Sequence, residues 1–304
     1  MKSITHNKIT WRHFDDNSTA TIKALEKDFE FHKLDMEDVS SGPQQPKTDF
    51  YKNYLFAIFH FPGYNKEEER IHVFELDVFL GPDYVITVSK GDSGALKDIC
   101  SQIENDDEFR EEMMGEGAGF FLYKLVDALT ETSWSVIRKI SSQMGDIEEE
   151  IYSEETGKRT VWRIALIRRN LIRLRRILNP QLVVLASLVH ADMPYLKKEL
   201  SLYFDDVQDT LNRLQAITSG NVEVMNTLHN VNESLISQRT NEVIKLLTLI
   251  SVSLLPMTLL TGFYGMNVEA LPFVGHPNIV WLIFGALFAI ILVFLVIFKR
   301  KDWV

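Results

Sequence analysis

Two stretches near the C-terminus restrict what this chain can fold into more than any other feature. Leu246 to Phe263 (LLTLISVSLLPMTLLTGF) and Ile279 to Phe298 (IVWLIFGALFAIILVFLVIF) contain no charged residue. Each comes near the roughly 20 apolar residues that cross about 30 Å of hydrocarbon. A surface helix of a soluble domain carries a single apolar stripe, and few soluble cores hold so long a helix that is apolar all round. The runs therefore predict two membrane-spanning helices. The segment between them, Tyr264 to Asn278, has no Lys or Arg. Arg239 and Lys245 precede the first run, and Lys299, Arg300 and Lys301 follow the second. The positive-inside rule then puts both termini in the cytoplasm and the short loop outside.

The N-terminal MKSITHNKITWRHF lacks the apolar core of a signal peptide, so the first domain is expected in the cytoplasm. A net charge of -10 and a pI of about 5.3 argue against nucleic acid as a partner and leave cations as plausible ligands. One cysteine, Cys100, excludes a disulfide framework or a thiolate zinc cluster within one chain. The sequence contains no His-Glu-x-x-His, no Gly-x-Ser-x-Gly and no nucleotide fingerprint, so no enzyme is expected.

Residues 1–115 read as a cytoplasmic α/β domain. YLFAIFHF (54–61), IHVFELDVFL (71–80) and DYVITVSK (83–90) are strand-like runs, and STATIKALEKDFEF (18–31) is helical. The glycines of GEGAG (115–119) mark a boundary. Residues 116–191 read as a helical hairpin that turns at TGKRT (156–160), its second helix ending near Pro180. A third helix opens at Asp192-Met193-Pro194, with Asp as cap and Pro in the first turn. It runs over 192–263 into the first span (about 246–263), a length of roughly 100 Å. No small monomer buries such a helix, so it predicts an oligomer packed around an axis. An external loop (264–278), the second span (279–298) and a basic cytoplasmic tail (299–304) complete the chain.

Polar residues recur along the first span at three- and four-residue steps. Thr248, Ser251 and Thr258 share a stripe with Leu255 and Gly262, and Asn241 extends it one turn inward. Hydroxyls in a membrane helix can simply bond back to their own helix. They can also line a water-filled pore. Neither span contains an acid or base, which argues against a proton relay and suits a hydrated cation that sheds water reluctantly, such as Mg²⁺.

YGMN (264–267), at the end of the first of two C-terminal spans, resembles the CorA family of divalent-metal transport proteins. RTNEVIKLLTLISVSLLPMTLLTGFYGMN (239–267) resembles that family's pore helix, and KRKDWV (299–304) its basic tail. YFDDVQD (203–209) and HKLDMEDV (32–39) resemble its cytoplasmic parts. The resemblance implies a funnel-shaped homopentamer in the cell (inner) membrane. Its cytoplasmic α/β domain and long α-helices would lead to two C-terminal transmembrane helices. It implies a selectivity ring of Gly265, Met266 and Asn267. The pore would be lined by Asn241, Ile244, Leu247, Thr248, Ser251, Leu255, Thr258 and Gly262, the aliphatic members forming constrictions that dewet. It further implies gating by cytoplasmic Mg²⁺ held between subunits by Asp38 and Asp206, with Asp35, Glu37, Asp205 and Asp209 as further acids. Mg²⁺ is thus both cargo and regulator, with Co²⁺ or Ni²⁺ as other cargo.

One stretch departs from the family pattern. Glu269 keeps the first acid after Gly-Met-Asn, but LPFV (271–274) puts Phe273 where a second acid is common. His276 in the same loop leaves room for a softer metal. A proton-coupled zinc transporter of the related ZntB type and a non-conducting membrane sensor or scaffold stand as alternatives to a magnesium channel. Arg163, Arg168, Arg169, Arg173, Arg175 and Arg176 are expected to pair with the acids of DIEEEIYSEE (146–155).

Overall fold

The computed structural model describes residues 2–91, 93–153, 157–267, 271–273 and 277–300. The chain divides into two compact units, Met1–His229 and Asn230–Val304.

In the first unit, strands β1 (Lys2–His6) and β2 (Ile9–Phe14) are followed by helices α1 (Thr19–Asp28) and α2 (Lys33–Ser40). Next come β3 (Lys47–Phe50), β4 (Leu55–Asn65), β5 (Arg70–Leu80) and β6 (Tyr84–Lys90), then α3 (Gly94–Asn105) and α4 (Asp107–Met114). The sheet order is β1-β2-β6-β5-β4-β3, with β2 and β6 parallel and all other neighbours antiparallel. Two long helices follow, α5 (Ala118–Tyr152) and α6 (Lys158–Val189).

Helices cover both faces of the sheet. On one, Phe56, Ile58, Phe79, Ile86 and Val88 meet Leu25, Met36 and Val39 of α1 and α2. On the other, Trp11 packs edge-on to Phe121 of α5 at 5.0 Å, and Phe59 and Phe61 face Val126, Leu178 and Leu185. Burial on both faces is why β4 and β5 read as continuous apolar runs rather than alternating ones. The short outer strands β1 and β3 are largely half-buried and leave a weaker signal.

Two helix boundaries differ from expectation. Helix α6 does not end near Pro180 but continues to Val189. Pro180 forgoes one backbone hydrogen bond, a cost of about 3 kcal/mol. Beyond it Val184, Leu185 and Leu188 are buried, each contributing about 1.5–3 kcal/mol, and the Gln181 amide donates to the His60 carbonyl. Burial wins.

The third long helix, α7 (Leu200–Tyr264), starts eight residues after the expected Asp192. Pro194 disfavours helical backbone at Met193, which forms an isolated bridge with Leu196. Tyr195 and Leu196 are buried, and the Tyr195 hydroxyl donates to the Tyr51 carbonyl at 3.1 Å. Gly119 allows this segment to lie against the start of α5: a Cβ there would meet Leu200 Cδ1 at 2.9 Å and the Tyr195 carbonyl oxygen at 3.0 Å. Gly117, at φ 124, links α4 to α5 within the first unit.

The α1–α2 face of the sheet also buries charge. Register sets Glu75 opposite both His60 and Lys90, and Asp77 opposite Ile58. Lys90 Nζ lies 2.7 Å from Glu75 Oε1 and 3.0 Å from Asp77 Oδ2, the latter an ion pair without hydrogen-bond geometry. Glu75 Oε2 accepts from the Gln44 amide at 2.9 Å and lies 3.1 Å from His60 Nε2. Burial opposes the Glu75 charge, but His60, Lys90 and Gln44 together hold its carboxyl below the usual range. Burial dominates at Asp77 and, against the pull of Lys90, pushes it up to about 7.

The folded state therefore keeps an Asp77 proton that the unfolded chain releases near pH 4. Stability from this group is present below that value and lost as pH rises through about 7. Relative to Asp77→Asn, the wild type should lose thermal stability between pH 5.5 and pH 8 in detergent. Parallel pH profiles for the two proteins would refute this.

The second unit contains the end of α7 and helix α8 (Pro277–Arg300). Within it lie two stretches long and apolar enough to cross a membrane, one in α7 and one at Asn278–Phe298.

Candidate ion pathway and metal-sensing site

The apolar part of α7 has two different faces. Its half-buried residues are Leu249, Ser253, Pro256, Met257, Leu260 and Tyr264. At about 100° per residue they fall on one side of the helix. Helix α8 meets that side: the Tyr264 ring lies 6.4 Å from Phe284, and Leu249 and Ser253 share a cleft of about 230 Å³ with Phe294, Leu295 and Phe298. Ile244 and Thr248 also line this cleft.

The expected pathway residues Asn241, Ile244, Leu247, Thr248, Ser251, Leu255, Thr258 and Gly262 are all exposed. Their common direction is about 170° away from the α8 side. The stripe thus stays exposed in the single chain, although Leu247 and Leu255 are 62% and 66% exposed and would be costly to leave in water, and only Ile244 and Thr248 of it also border α8.

The hydroxyls do bond back to their own helix. Thr248, Ser251 and Thr258 donate to the carbonyls of Ile244, Leu247 and Leu254 at 2.8, 2.9 and 3.0 Å. This leaves each hydroxyl oxygen as an acceptor only. A hydrated cation points its water hydrogens outward, so acceptors are what it requires. Back-bonding and pore lining are compatible.

Helix α7 ends at Tyr264. The Gly265 amide closes the last turn on the Thr261 carbonyl at 2.9 Å, and a Cβ at Gly265 would lie 2.8 Å from that oxygen. Glycine is required by this approach. Met266 and Asn267 follow, both exposed, and among the described residues the Asn267 side chain has no hydrogen-bond partner. Phe273 takes a left-handed backbone, φ 68. Glu269, His276 and the tail from Lys301 to Val304 lie outside the described residues.

The acids expected to sense metal have distinct environments. Asp35 is fully buried, and its two oxygens accept from the Tyr51 and Tyr54 hydroxyls at 2.8 and 2.7 Å. Burial raises its pKa against those hydrogen bonds. Asp35 holds two tyrosines in place and is closed to solvent ions. Glu37, Asp205 and Asp209 are exposed.

Asp38 sits near the end of α2. Its carbonyl accepts from Lys90 Nζ at 2.8 Å, which ties α2 to the buried charge cluster. Its carboxylate, 22% exposed, pairs with Lys47 Nζ at 2.7 Å, and Lys47 also pairs with Asp49 at 2.6 Å. Asp206 is exposed on α7, where its charge acts on Tyr123 and Asp127 of α5. Among the described residues of one chain, no three His, Cys, Asp or Glu side chains converge on a possible metal site. Asp38 offers what a hard cation takes: a charged, oxygen-only donor, reachable from solvent and already engaging one positive group.

Lys47, Asp49 and Lys90 escaped the sequence reading. Glu75 and Asp77, two acids two residues apart in an apolar strand, were a legible sign of a buried charge cluster. Among the described residues, the arginine expectation holds for Arg163, which pairs with Glu150 and lies 3.9 Å from Asp146, while Glu154 and Glu155 lie outside them. Arg168, Arg169, Arg173 and Arg176 instead line an outward groove on α6 with Ala165 and Ile172.

An α/β domain followed by long helices, with two apolar helices around a Gly-Met-Asn turn, defines a membrane protein that handles cations. The chain belongs to the CorA-like Mg²⁺ transporter protein family, whose model matches residues 6–300. This is a family of divalent-cation transporters, not of enzymes. The chain is 29% identical over 289 residues to the cobalt/magnesium transport protein CorA of Thermotoga maritima, covering 94% of this chain and 80% of that one. It is 26% identical over 193 residues to the zinc transport protein ZntB of Yersinia pseudotuberculosis, covering 62% of this chain and 57% of that one. Its fold matches the complete structure of the CorA magnesium transporter from Methanocaldococcus jannaschii with TM-score 0.84. The identity there is 20%, and 100% of this chain and 95% of the other are covered.

Proposed function

We propose that the chain is one subunit of a homopentameric Mg²⁺ channel, also passing Co²⁺ or Ni²⁺, in the cell membrane with both termini cytoplasmic. The observation that carries this reading is the uncovered stripe from Asn241 to Gly262, opposite the α8 side and rich in acceptor-only oxygens. Five copies facing an axis would enclose a path for a hydrated ion. Asn267 amides would form its outer ring and Ile244, Leu247 and Leu255 its dewetting constrictions. Exposed Ile217 and Val224, one heptad apart on α7, supply further apolar surface for such packing.

Gating follows from charge. Asp38 of one subunit and Asp206 of the next would share a hydrated Mg²⁺; when it leaves, like charges face each other and the subunits separate. A second reading, zinc transport coupled to protons, is supported by the ZntB relative.

Flux into proteoliposomes separates the two. Mg²⁺ uptake independent of a pH gradient and blocked by internal Mg²⁺ is expected, with Asp206→Ala raising the internal concentration needed for block about tenfold. Zn²⁺ uptake that needs the gradient would favour the second reading, and no flux of any ion a non-conducting sensor.

A further inference from the structure

We infer that the Lys47 ammonium is a tethered competitor for the cation site at Asp38, so that a divalent ion binds there by displacing it onto Asp49. The inference rests on the proposed sensing role of Asp38.

The geometry is that of an exchangeable counter-ion. Lys47 Nζ stands between two carboxylates, 2.7 Å from Asp38 Oδ2 and 2.6 Å from Asp49 Oδ2. The Asp38 main chain is anchored from behind, its carbonyl accepting from Lys90 Nζ at 2.8 Å, which fixes where the carboxylate is presented. Lys47 is 38% exposed, and its Nζ also lies over the Phe56 ring, 5.5 Å from its centre, a cation–π contact beside the two carboxylates. Burial works against the Lys47 charge, yet hydrogen bonds to Asp38 and Asp49 hold its pKa above the ordinary value. It therefore stays a cation throughout the physiological range.

Asp49 makes the exchange cheap. When a divalent ion takes Asp38, the ammonium keeps one carboxylate and no bare charge is stranded. Displacing a single charge by a double one favours Mg²⁺ over monovalent ions. The competition also raises the Mg²⁺ concentration at which the site fills, which suits a sensor that must stay empty when Mg²⁺ is scarce.

The test uses purified full-length protein in detergent, titrated with Mg²⁺ and read by thermal stability and protection from protease. Neither readout depends on transport. Lys47→Met keeps the stem and removes the charge; it should lower the half-saturating Mg²⁺ concentration by about tenfold. Lys47→Arg should stay near wild type. Asp38→Asn should raise the midpoint, and in that background Lys47→Met should add little. Melting without Mg²⁺ checks folding, with Lys47→Gln as a second variant. An unchanged or higher midpoint in both Lys47→Met and Lys47→Gln, with Asp38→Asn still impaired, overturns the competition and leaves the sensor intact. A wild-type midpoint in Asp38→Asn removes both.

Discussion

Asn267→Ala is expected to abolish cation uptake while the oligomer still assembles. Asn267 lies beyond the last turn of α7, exposed, with no hydrogen bond from its side chain among the described residues. Its removal takes away no side-chain hydrogen bond among the described residues, so stability should change by less than about 0.5 kcal/mol. Its proposed work is done only in the pentamer, where five amide oxygens accept from the water shell of an incoming ion. Five such bonds at about 1 kcal/mol each would raise the entry barrier by about 5 kcal/mol, roughly a thousandfold or more in flux. Radiotracer or dye-reported uptake, paired with size-exclusion of the same sample, measures both halves. Wild-type flux in an assembled Asn267→Ala protein would remove the amide ring from the mechanism.

Lys90→Met should strongly destabilise the first unit. Lys90 is 8% exposed, Glu75 2% and Asp77 0% by side chain. Removing the one ammonium between two buried carboxylates leaves them facing each other, and breaking such a buried pair costs about 3–5 kcal/mol. The loss should be smaller at pH 5.5 than at pH 8, because Asp77 already carries a proton at the lower value. The same substitution frees the Asp38 carbonyl at the end of α2. The surviving folded fraction should therefore also respond more weakly to Mg²⁺. Chemical denaturation at both pH values tests the first part; a change below 1 kcal/mol would mean the cluster is solvated in solution.

These two residues mark the limits of reading the chain as a string. Asn267 stood out because its signal is local: a Gly-Met-Asn turn directly after an uncharged apolar run. Lys90 did not, since its partners at 75, 77 and 38 become neighbours only through the β5–β6 register and the packing of α2 on the sheet. Asp35 and Asp38 show the same limit within one helix. Three residues apart and alike in sequence, one is sealed beneath two tyrosine hydroxyls and the other reaches solvent beside Lys47.

The sequence by itself determined the features that depend on composition and period. The two spans follow from the absence of charge over a membrane's thickness. The buried strands β4, β5 and β6 follow from dense apolar runs, and the uncovered stripe of α7 from polar residues recurring every three or four positions. Tertiary structure alone decided where a local signal was overruled and which charges meet. Burial of Val184, Leu185 and Leu188 carried α6 through Pro180, and the docking of Tyr195 and Leu196 delayed the start of α7. The Lys47 bridge between Asp38 and Asp49 and the Lys90 cluster exist because the sheet brings distant side chains within hydrogen-bond reach. A one-residue shift of strand register would turn Lys47, Asp49, Glu75, Asp77 or Lys90 to the opposite face.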